Sequence, residues 1–218
     1  MSLVVFDLDG TLIDSRLDLA ESTNEMLGTY GAAPLPVDAV TAMVGEGAKV
    51  LVARALDAAG LDVDVADALT RFREIYDRRL LVHTRPYEGI EQAVSLLRKA
   101  HTLAVLTNKP AAPSRRLLDA FGLAPHFQEI VGGDSGPARK PDPEGLMRLM
   151  DLCGADTTDT WLVGDSMIDV ETARRAGVRM CVALYGFGQL RGELALDGSE
   201  VTVGAAREIP AALGTTAR

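Results

Sequence analysis

Short apolar runs rich in β-branched residues recur along the chain, and polar residues do not alternate within them. The runs are LVVF at 3–6, LAVLT at 103–107, WLVG at 161–164, MCVAL at 180–184 and VTV at 201–203. Such runs predict strands that are covered on both faces. Amphipathic patterns between them predict helices at 89–100, 113–122, 142–154 and 167–177. This alternation predicts an α/β fold with a doubly wound (Rossmann-like) parallel sheet.

The stretch from residue 15 to residue 85 interrupts the alternation. It contains helical patterns at 16–31, 48–60 and 65–81 and no convincing strand. Pro34, Pro36 and Gly60 divide it into three or four helices, and Pro86 marks the return to the sheet. We therefore predict an α/β catalytic core over 1–14 and 86–218, with an inserted all-helical domain over 15–85.

Composition and charge limit the partners that the chain can have. Its 218 residues include 22 Lys and Arg against 31 Asp and Glu, which gives a net charge of -9. That charge repels nucleic acid and anionic lipid, so we expect neither as a partner. No apolar stretch approaches the roughly 20 residues that cross a bilayer, and no basic signal-peptide region precedes the first apolar run, so we expect a cytoplasmic protein. The sequence leaves the oligomeric state open.

Polar residues follow three of the predicted strands directly. They are Asp7, Asp9, Gly10 and Thr11 after the first strand, Thr107, Asn108 and Lys109 after the second, and Asp165, Ser166 and Asp169 after WLVG. Ligands of open parallel sheets bind beyond the carboxyl ends of the strands. Because crowded carboxylates favour a bound cation, and because Mg²⁺ prefers oxygen ligands together with phosphate, we predict a magnesium site formed by Asp7, Asp9 and Asp165. Such a site predicts a phosphorylated ligand.

Four short motifs resemble those of the haloacid dehalogenase superfamily, in order and over nearly the whole chain. They are DLDGT at 7–11, LTN at 106–108, Lys140 within RKPDP, and GDSMID at 164–169. The resemblance implies a phosphatase in which Asp7 is the nucleophile and forms an aspartyl-phosphate. Asp9 would protonate the leaving oxygen and then activate water. Thr107 and Asn108 would position the phosphoryl oxygens, while Lys140 and Mg²⁺ offset negative charge.

The same resemblance assigns further residues around this centre. Asp169 is expected outside the direct metal ligands, where it orients metal-bound water or Lys140. Gly10 lets the chain turn, and Gly10 and Thr11 are expected to border the substrate. The helical insertion looks like the mobile cap of this superfamily, which closes over the substrate and excludes water. Within the cap, Lys49 and Arg54 are expected to meet a second anionic group of the substrate.

Two longer stretches are similar to those of phosphoglycolate phosphatases, a subgroup of this superfamily. They are MVGEGAKVLVARAL at 43–56 and ALYGFG at 183–188. This likeness implies 2-phosphoglycolate, or another small phosphorylated metabolite, as the substrate. It also implies that the loop around residues 45–50 faces the active site.

Several alternatives remain open beside this hypothesis. A hexose-phosphate mutase or a sugar-phosphate or pyrophosphate hydrolase would share the same motifs, and a non-enzymatic phosphoacceptor would share the Asp, Thr and Lys at strand ends. Dehalogenases and phosphonoacetaldehyde hydrolases of the superfamily lack the acid that Asp9 provides, so the sequence disfavours carbon–halogen cleavage and Schiff-base chemistry at Lys49.

Overall fold

The computed structural model describes residues 2–188 and 194–215 of the chain. Its strands are β1 (Leu3–Phe6), β2 (Ile13–Asp14), β3 (Arg85–Pro86), β4 (Thr102–Leu106), β5 (Glu129–Val131), β6 (Thr160–Gly164), β7 (Arg179–Ala183) and β8 (Val201–Val203). Six of these strands form one parallel sheet in the order β5-β4-β1-β6-β7-β8. The predicted doubly wound α/β fold class is confirmed.

The helices lie between these strands. They are α1 (Arg16–Gly28), α2 (Val37–Ala42), α3 (Ala48–Ala58), α4 (Val65–Arg79), α5 (Ile90–Leu97), α6 (Ala111–Ala120), α7 (Glu144–Cys153), α8 (Met167–Ala176) and α9 (Ile209–Ala212). Helices α1 to α4 stand between β2 and β3, and we call them the cap. The others pack around the parallel sheet.

The central strand β1 shows why its sequence is apolar at every position. Val4 and Phe6 are buried in one hydrophobic cluster, which includes residues of α5 and α6. Leu3 and Val5 are buried in another, which includes residues of α7 and α8. Both faces of the strand are therefore covered, as the unbroken apolar run predicts.

The structure contains three short strands that the sequence pattern does not indicate, β2, β3 and β5. Strand β5 at the sheet edge is only three residues long, and its apolar signal is limited to two positions. The short strands β2 and β3 pair antiparallel, with Ile13 opposite Pro86 and Asp14 opposite Arg85. This pairing joins the two connections between sheet and cap at the predicted boundary, and it supports the division into core and cap that we propose.

Asp18 ties the start of the cap to the chain that leaves it. Its side chain lies in α1 and is fully buried. Its carboxylate accepts hydrogen bonds from the backbone N–H groups of His83 and Thr84, at 2.8 to 3.0 Å, and from the Thr84 hydroxyl at 2.7 Å. A buried carboxylate thus satisfies three donors at the base of the cap.

We expect Asp18→Ala to lower the free energy of unfolding by about 2–4 kcal/mol, because it leaves three donors, two of them in the buried Thr84, without an acceptor. Urea denaturation monitored by circular dichroism measures this change. The exposed Asp62→Ala, in the loop before α4, is the control and is expected to change stability by less than about 0.5 kcal/mol. Equal stabilities of the two variants would contradict the assigned role of Asp18.

None of the helices in residues 2–188 and 194–215 combines the length and apolar character that crossing a membrane requires.

Candidate active site

Three neighbouring strands of the sheet deliver the central polar residues to one edge. Asp7 directly follows β1, and its N–H donates to Val163 of β6 at 2.8 Å. Thr107 follows β4, which lies on one side of β1, and Asp165 follows β6 on the other side. Because parallel strands end at the same edge, the structure brings together side chains that are about 60 to 160 positions apart in the sequence.

A buried lysine stands between two of the carboxylates. Lys140 Nζ lies 2.9 Å from Asp7 Oδ1 and 2.6 Å from Asp169 Oδ1, and its side chain is 2% exposed. Burial disfavours the ammonium, but the charges of Asp169 and Asp7 outweigh it and raise the pKa of Lys140. The lysine therefore stays protonated. Of the two roles predicted for Asp169, the structure shows the contact with Lys140.

The pKa of Asp7, the candidate nucleophile, is higher than that of an ordinary aspartate. Burial raises the pKa of its carboxyl group to about 6, and the charge of Lys140 opposes this rise. Asp169 beside it contributes a further increase. The site therefore holds Asp7 as a weakly solvated carboxylate next to one cation, which favours reaction with an electrophile.

An acidic cluster surrounds this pair. Asp7, Asp165 and Asp169 each offer a carboxylate oxygen, and these oxygens all lie within 4.8 Å of one another. Asp169 also accepts hydrogen bonds from the Ser166 hydroxyl and N–H, at 2.7 and 3.1 Å. Three oxygen donors of this kind fit a hard cation such as Mg²⁺.

Asp9, which the sequence predicts as a metal ligand, has its side chain outside this group of three. Its carboxylate instead accepts from Lys109 Nζ at 3.0 and 3.1 Å and from the Ser15 hydroxyl at 2.5 Å. Lys109 Nζ also donates to the hydroxyl group of Tyr76, in cap helix α4, at 2.6 Å. In this structure, a lysine and a serine therefore hold the Asp9 carboxylate beside the acidic cluster.

Gly10 and Thr11 lie against Asp165. The φ angle of Gly10 is +90°, and a Cβ atom there would collide with the carboxylate of Asp165. The Thr11 hydroxyl is buried 3.5 Å from Asp165 Oδ1. Only glycine therefore allows the turn after the Asp7–Asp9 pair to pass so close to Asp165.

Asn108 connects three segments at this edge. Its side-chain amide donates to the carbonyl oxygen of Gly45 in the cap and to that of Lys140, both at 2.9 Å. Both amide hydrogens are thus engaged. The loop before α3 faces the active site, and Asn108 holds it against the strand end.

A cavity of about 380 Å³ lies between the sheet edge and the cap. Its core wall includes Asp7, Asp9, Thr107, Asn108 and Lys109. Its cap wall includes Leu19 of α1, the loop before α3 with the first turn of that helix, and one face of α4. A volume of this size suits a small metabolite.

Comparison with known proteins places these features in a family. The model of the haloacid dehalogenase-like hydrolases matches residues 4–183, a range that includes all four motifs. The chain belongs to this family. The predicted family is therefore confirmed.

Curated relatives of this haloacid dehalogenase-like hydrolase include two phosphoglycolate phosphatases. The plasmid-encoded protein of Cupriavidus necator is 38% identical over 96% of this chain and 92% of its own. The protein of Rhodospirillum rubrum is 42% identical over 85% of this chain and 80% of its own. The crystal structure of a predicted phosphoglycolate phosphatase of Haemophilus somnus covers 96% of each chain with a TM-score of 0.89 and 30% identity. The prediction of an enzyme similar to phosphoglycolate phosphatases is confirmed.

The two predicted cap residues of this hydrolase lie away from the cavity wall. Lys49, the second residue of α3, is exposed and does not line the cavity. Arg54, on the same helix, pairs with Glu46 and donates to the carbonyl oxygen of Met43. Helix α3 reaches the cavity through Ala48 and Leu51 instead. The helical pattern in the sequence predicts α3, but it does not predict which face of this helix lies against the core.

Three residues at the site of this hydrolase have no role in the hypothesis drawn from the sequence. Lys109 directly follows Thr107 and Asn108 at the end of β4, and that position is a usable signal. Arg73 and Tyr76 belong to α4, whose pattern indicates a helix but not its contact with the core. The structure places all three on the cavity wall.

Proposed function

We propose that the chain is a Mg²⁺-dependent phosphomonoester hydrolase that works through an aspartyl-phosphate on Asp7, with 2-phosphoglycolate as its substrate. The observation that carries this proposal is the place of the Asp7 carboxylate. It lines a small cavity under the cap, and it lies 2.9 Å from a buried lysine and within an acidic cluster. This arrangement supplies a nucleophile, a counter-charge and room for a small ester.

In the first half-reaction, an oxygen of Asp7 attacks phosphorus, and the bond from phosphorus to the alcohol oxygen breaks. Lys140 faces the same carboxylate and offsets charge that develops on the phosphoryl group. The Thr107 hydroxyl lines the cavity and orients a phosphoryl oxygen. Asn108 acts through positioning, because its amide fixes the cap loop and the Lys140 segment.

Asp9 carries the proton in this proposal. It gives a proton to the leaving alcohol, and it then takes one from the water that cleaves the aspartyl-phosphate. In the structure its carboxylate is held by Lys109 and Ser15 and it lines the cavity. These contacts fix the orientation of the carboxylate at the cavity wall.

The donor set fits magnesium. Asp7 and Asp165 are the side chains that would hold the ion, and Asp169, which accepts from Lys140 and Ser166, would lie beside them. When bound, Mg²⁺ supplies positive charge that neutralises phosphate oxygens. Glycine at position 10 lets the turn after Asp7 pass close to the Asp165 carboxylate. This closeness supports the proposal that Asp7 and Asp165 share one metal ion.

Phosphate release from a panel of esters tests the proposal. We expect turnover of 2-phosphoglycolate with Mg²⁺ that exceeds turnover of hexose phosphates, nucleotides and pyrophosphate. Removal of the metal with EDTA is expected to reduce the rate by at least about 10²-fold, because several carboxylates then repel the phosphate. Addition of Mg²⁺ in excess over EDTA should restore the rate.

Two outcomes would contradict this assignment. An unchanged rate in EDTA would exclude the metal, and a preferred hexose phosphate that is isomerised without phosphate release would indicate a mutase.

A further inference from the structure

The cavity has two chemically different walls. The core wall presents Asp7 and Thr107, which we assign to the phosphoryl group of the substrate. The opposite wall includes one face of α4, where Phe72, Arg73, Tyr76 and Asp77 line the cavity, and Leu80 directly after the helix. The spacing of these five positions is that of a single helical face. This face of α4 is therefore within reach of the part of the substrate that is not transferred.

Two cations line this cavity, and they differ in their partners. Lys109 Nζ has three donors, and all three are matched by the two oxygens of Asp9 and the hydroxyl of Tyr76. Arg73 makes no hydrogen bond or ion pair within residues 2–188 and 194–215, although it lines the same cavity. Arg73 is thus the cation on the cavity wall that is available to a ligand.

The other arginines of α4 show that an unpaired state is not the rule on this helix. Arg71 pairs with Asp67 at 3.1 Å, Arg78 pairs with Glu25 at 3.1 Å, and Arg79 pairs with Glu21. These three side chains stabilise the cap by contacts within it. Arg73 has no such role, and its place on the cavity wall calls for a different one.

Acidic residues on the cavity wall do not neutralise Arg73. Asp77 lies one turn further along α4, but its carboxylate pairs with Arg116 of α6. Asp134 accepts a hydrogen bond from the N–H of Ala111 at 2.8 Å. Both carboxylates are therefore engaged with the core, and the guanidinium remains open to an anion from solution.

We propose that Arg73 selects substrates that carry a second anionic group, a carboxylate, beside the phosphate ester. This inference rests on the proposed phosphatase function and names the residue that sets its substrate class. A guanidinium is planar and donates two parallel hydrogen bonds to a carboxylate. In a protein of net charge -9, such a local cation is what holds the second anion. Lys49 and Arg54, the cap cations expected from the sequence for this purpose, are not among the residues that line the cavity.

The test compares two esters that differ only in this group. In 2-hydroxyethyl phosphate, a neutral CH₂OH replaces the carboxylate of 2-phosphoglycolate. We expect Arg73→Ala to raise KM for 2-phosphoglycolate by about 10- to 100-fold with a smaller change in kcat, because a charge-assisted contact made in the bound substrate is lost. For 2-hydroxyethyl phosphate the rise in KM should be less than about threefold, while Arg73→Lys should retain part of the preference for the acid.

The matched control is Arg71→Ala. Arg71 is an exposed arginine on the same helix, and it is bound to Asp67 outside the cavity. We expect it to leave the kinetics of both esters unchanged, which separates loss of a cavity cation from loss of charge on α4.

The outcomes distinguish this inference from the function on which it rests. If wild-type protein hydrolyses both esters and Arg73→Ala weakens both equally, Arg73 does not read the carboxylate, while the phosphatase function stands. The inference is overturned in the same way if wild-type protein does not prefer the acidic ester. If wild-type protein hydrolyses no phosphomonoester at all, the proposed function fails, and this inference falls with it.

Discussion

Asp7→Asn is expected to reduce phosphate release from 2-phosphoglycolate by about 10⁴-fold or more in kcat, because the amide cannot form the aspartyl-phosphate. The substitution keeps the shape of the side chain and removes its charge. Lys140 retains Asp169 as a partner at 2.6 Å, so the fold is expected to persist. Initial-rate assays with Mg²⁺, together with a circular dichroism spectrum of the variant, measure both effects.

Asp151→Asn is the control for this experiment, because Asp151 is an exposed aspartate of α7 that does not line the cavity. Its kinetics should match those of wild-type protein. Residual activity of Asp7→Asn within about tenfold of wild type would show that the nucleophile lies elsewhere.

Lys140→Met is expected to lower kcat by about 10³-fold, because it removes the cation that lies beside Asp7 and that we propose offsets charge on the phosphoryl group. It also leaves the fully buried Asp169 without its counter-ion. Loss of one partner from a buried ion pair costs about 3 kcal/mol or more, so the free energy of unfolding should fall as well. Steady-state kinetics at a temperature where the variant is folded, and urea denaturation, separate the two losses.

Lys140→Met is also expected to change the pH dependence of kcat/KM. The charge of Lys140 lowers the pKa of Asp7, which burial raises to about 6. Removal of the lysine therefore raises that pKa further, and the reactive carboxylate form is lost at a higher pH as the solution is acidified. The acidic limb of the kcat/KM profile should shift to higher pH relative to wild type under the same Mg²⁺ concentration.

Lys99→Met, a substitution of an exposed lysine after α5, serves as the control for both readouts. Its activity, stability and pH profile are expected to match wild type. An acidic limb in Lys140→Met that coincides with that of wild type would show that the lysine does not act on Asp7.

The sheet and its catalytic edge can be predicted from the sequence for a simple reason. A strand covered on both faces must be apolar at successive positions, so β1, β4, β6 and β7 each leave a clear run. Parallel strands end at one edge, so the polar residues that follow them can be placed together without knowledge of the strand order. Asp7 and Asp165 are predicted to be close on this ground, and the structure shows both in one acidic cluster.

The contacts between the cap and the core cannot be predicted from the sequence in the same way. The contact between Lys109 and Tyr76 joins residues that are 33 positions apart, and it exists only because α4 lies over the sheet edge. A helical pattern fixes which residues share a face, but it does not say which partner that face meets. Lys49 is a natural candidate ligand as the cap's only lysine, yet α3 turns Leu51 to the cavity and exposes Lys49.

The concentration of cavity-lining positions on α4 has a consequence for how such enzymes diverge. Four residues of α4, and Leu80 directly after it, line the cavity, while the proposed reacting groups come from the ends of separate strands. Substitutions along that single face can change which compounds are accepted without altering the inherited chemistry of the sheet edge. A lineage with this architecture can therefore acquire new substrates by small steps in one segment, and comparison of that segment among descendants would record which compounds each of them came to use.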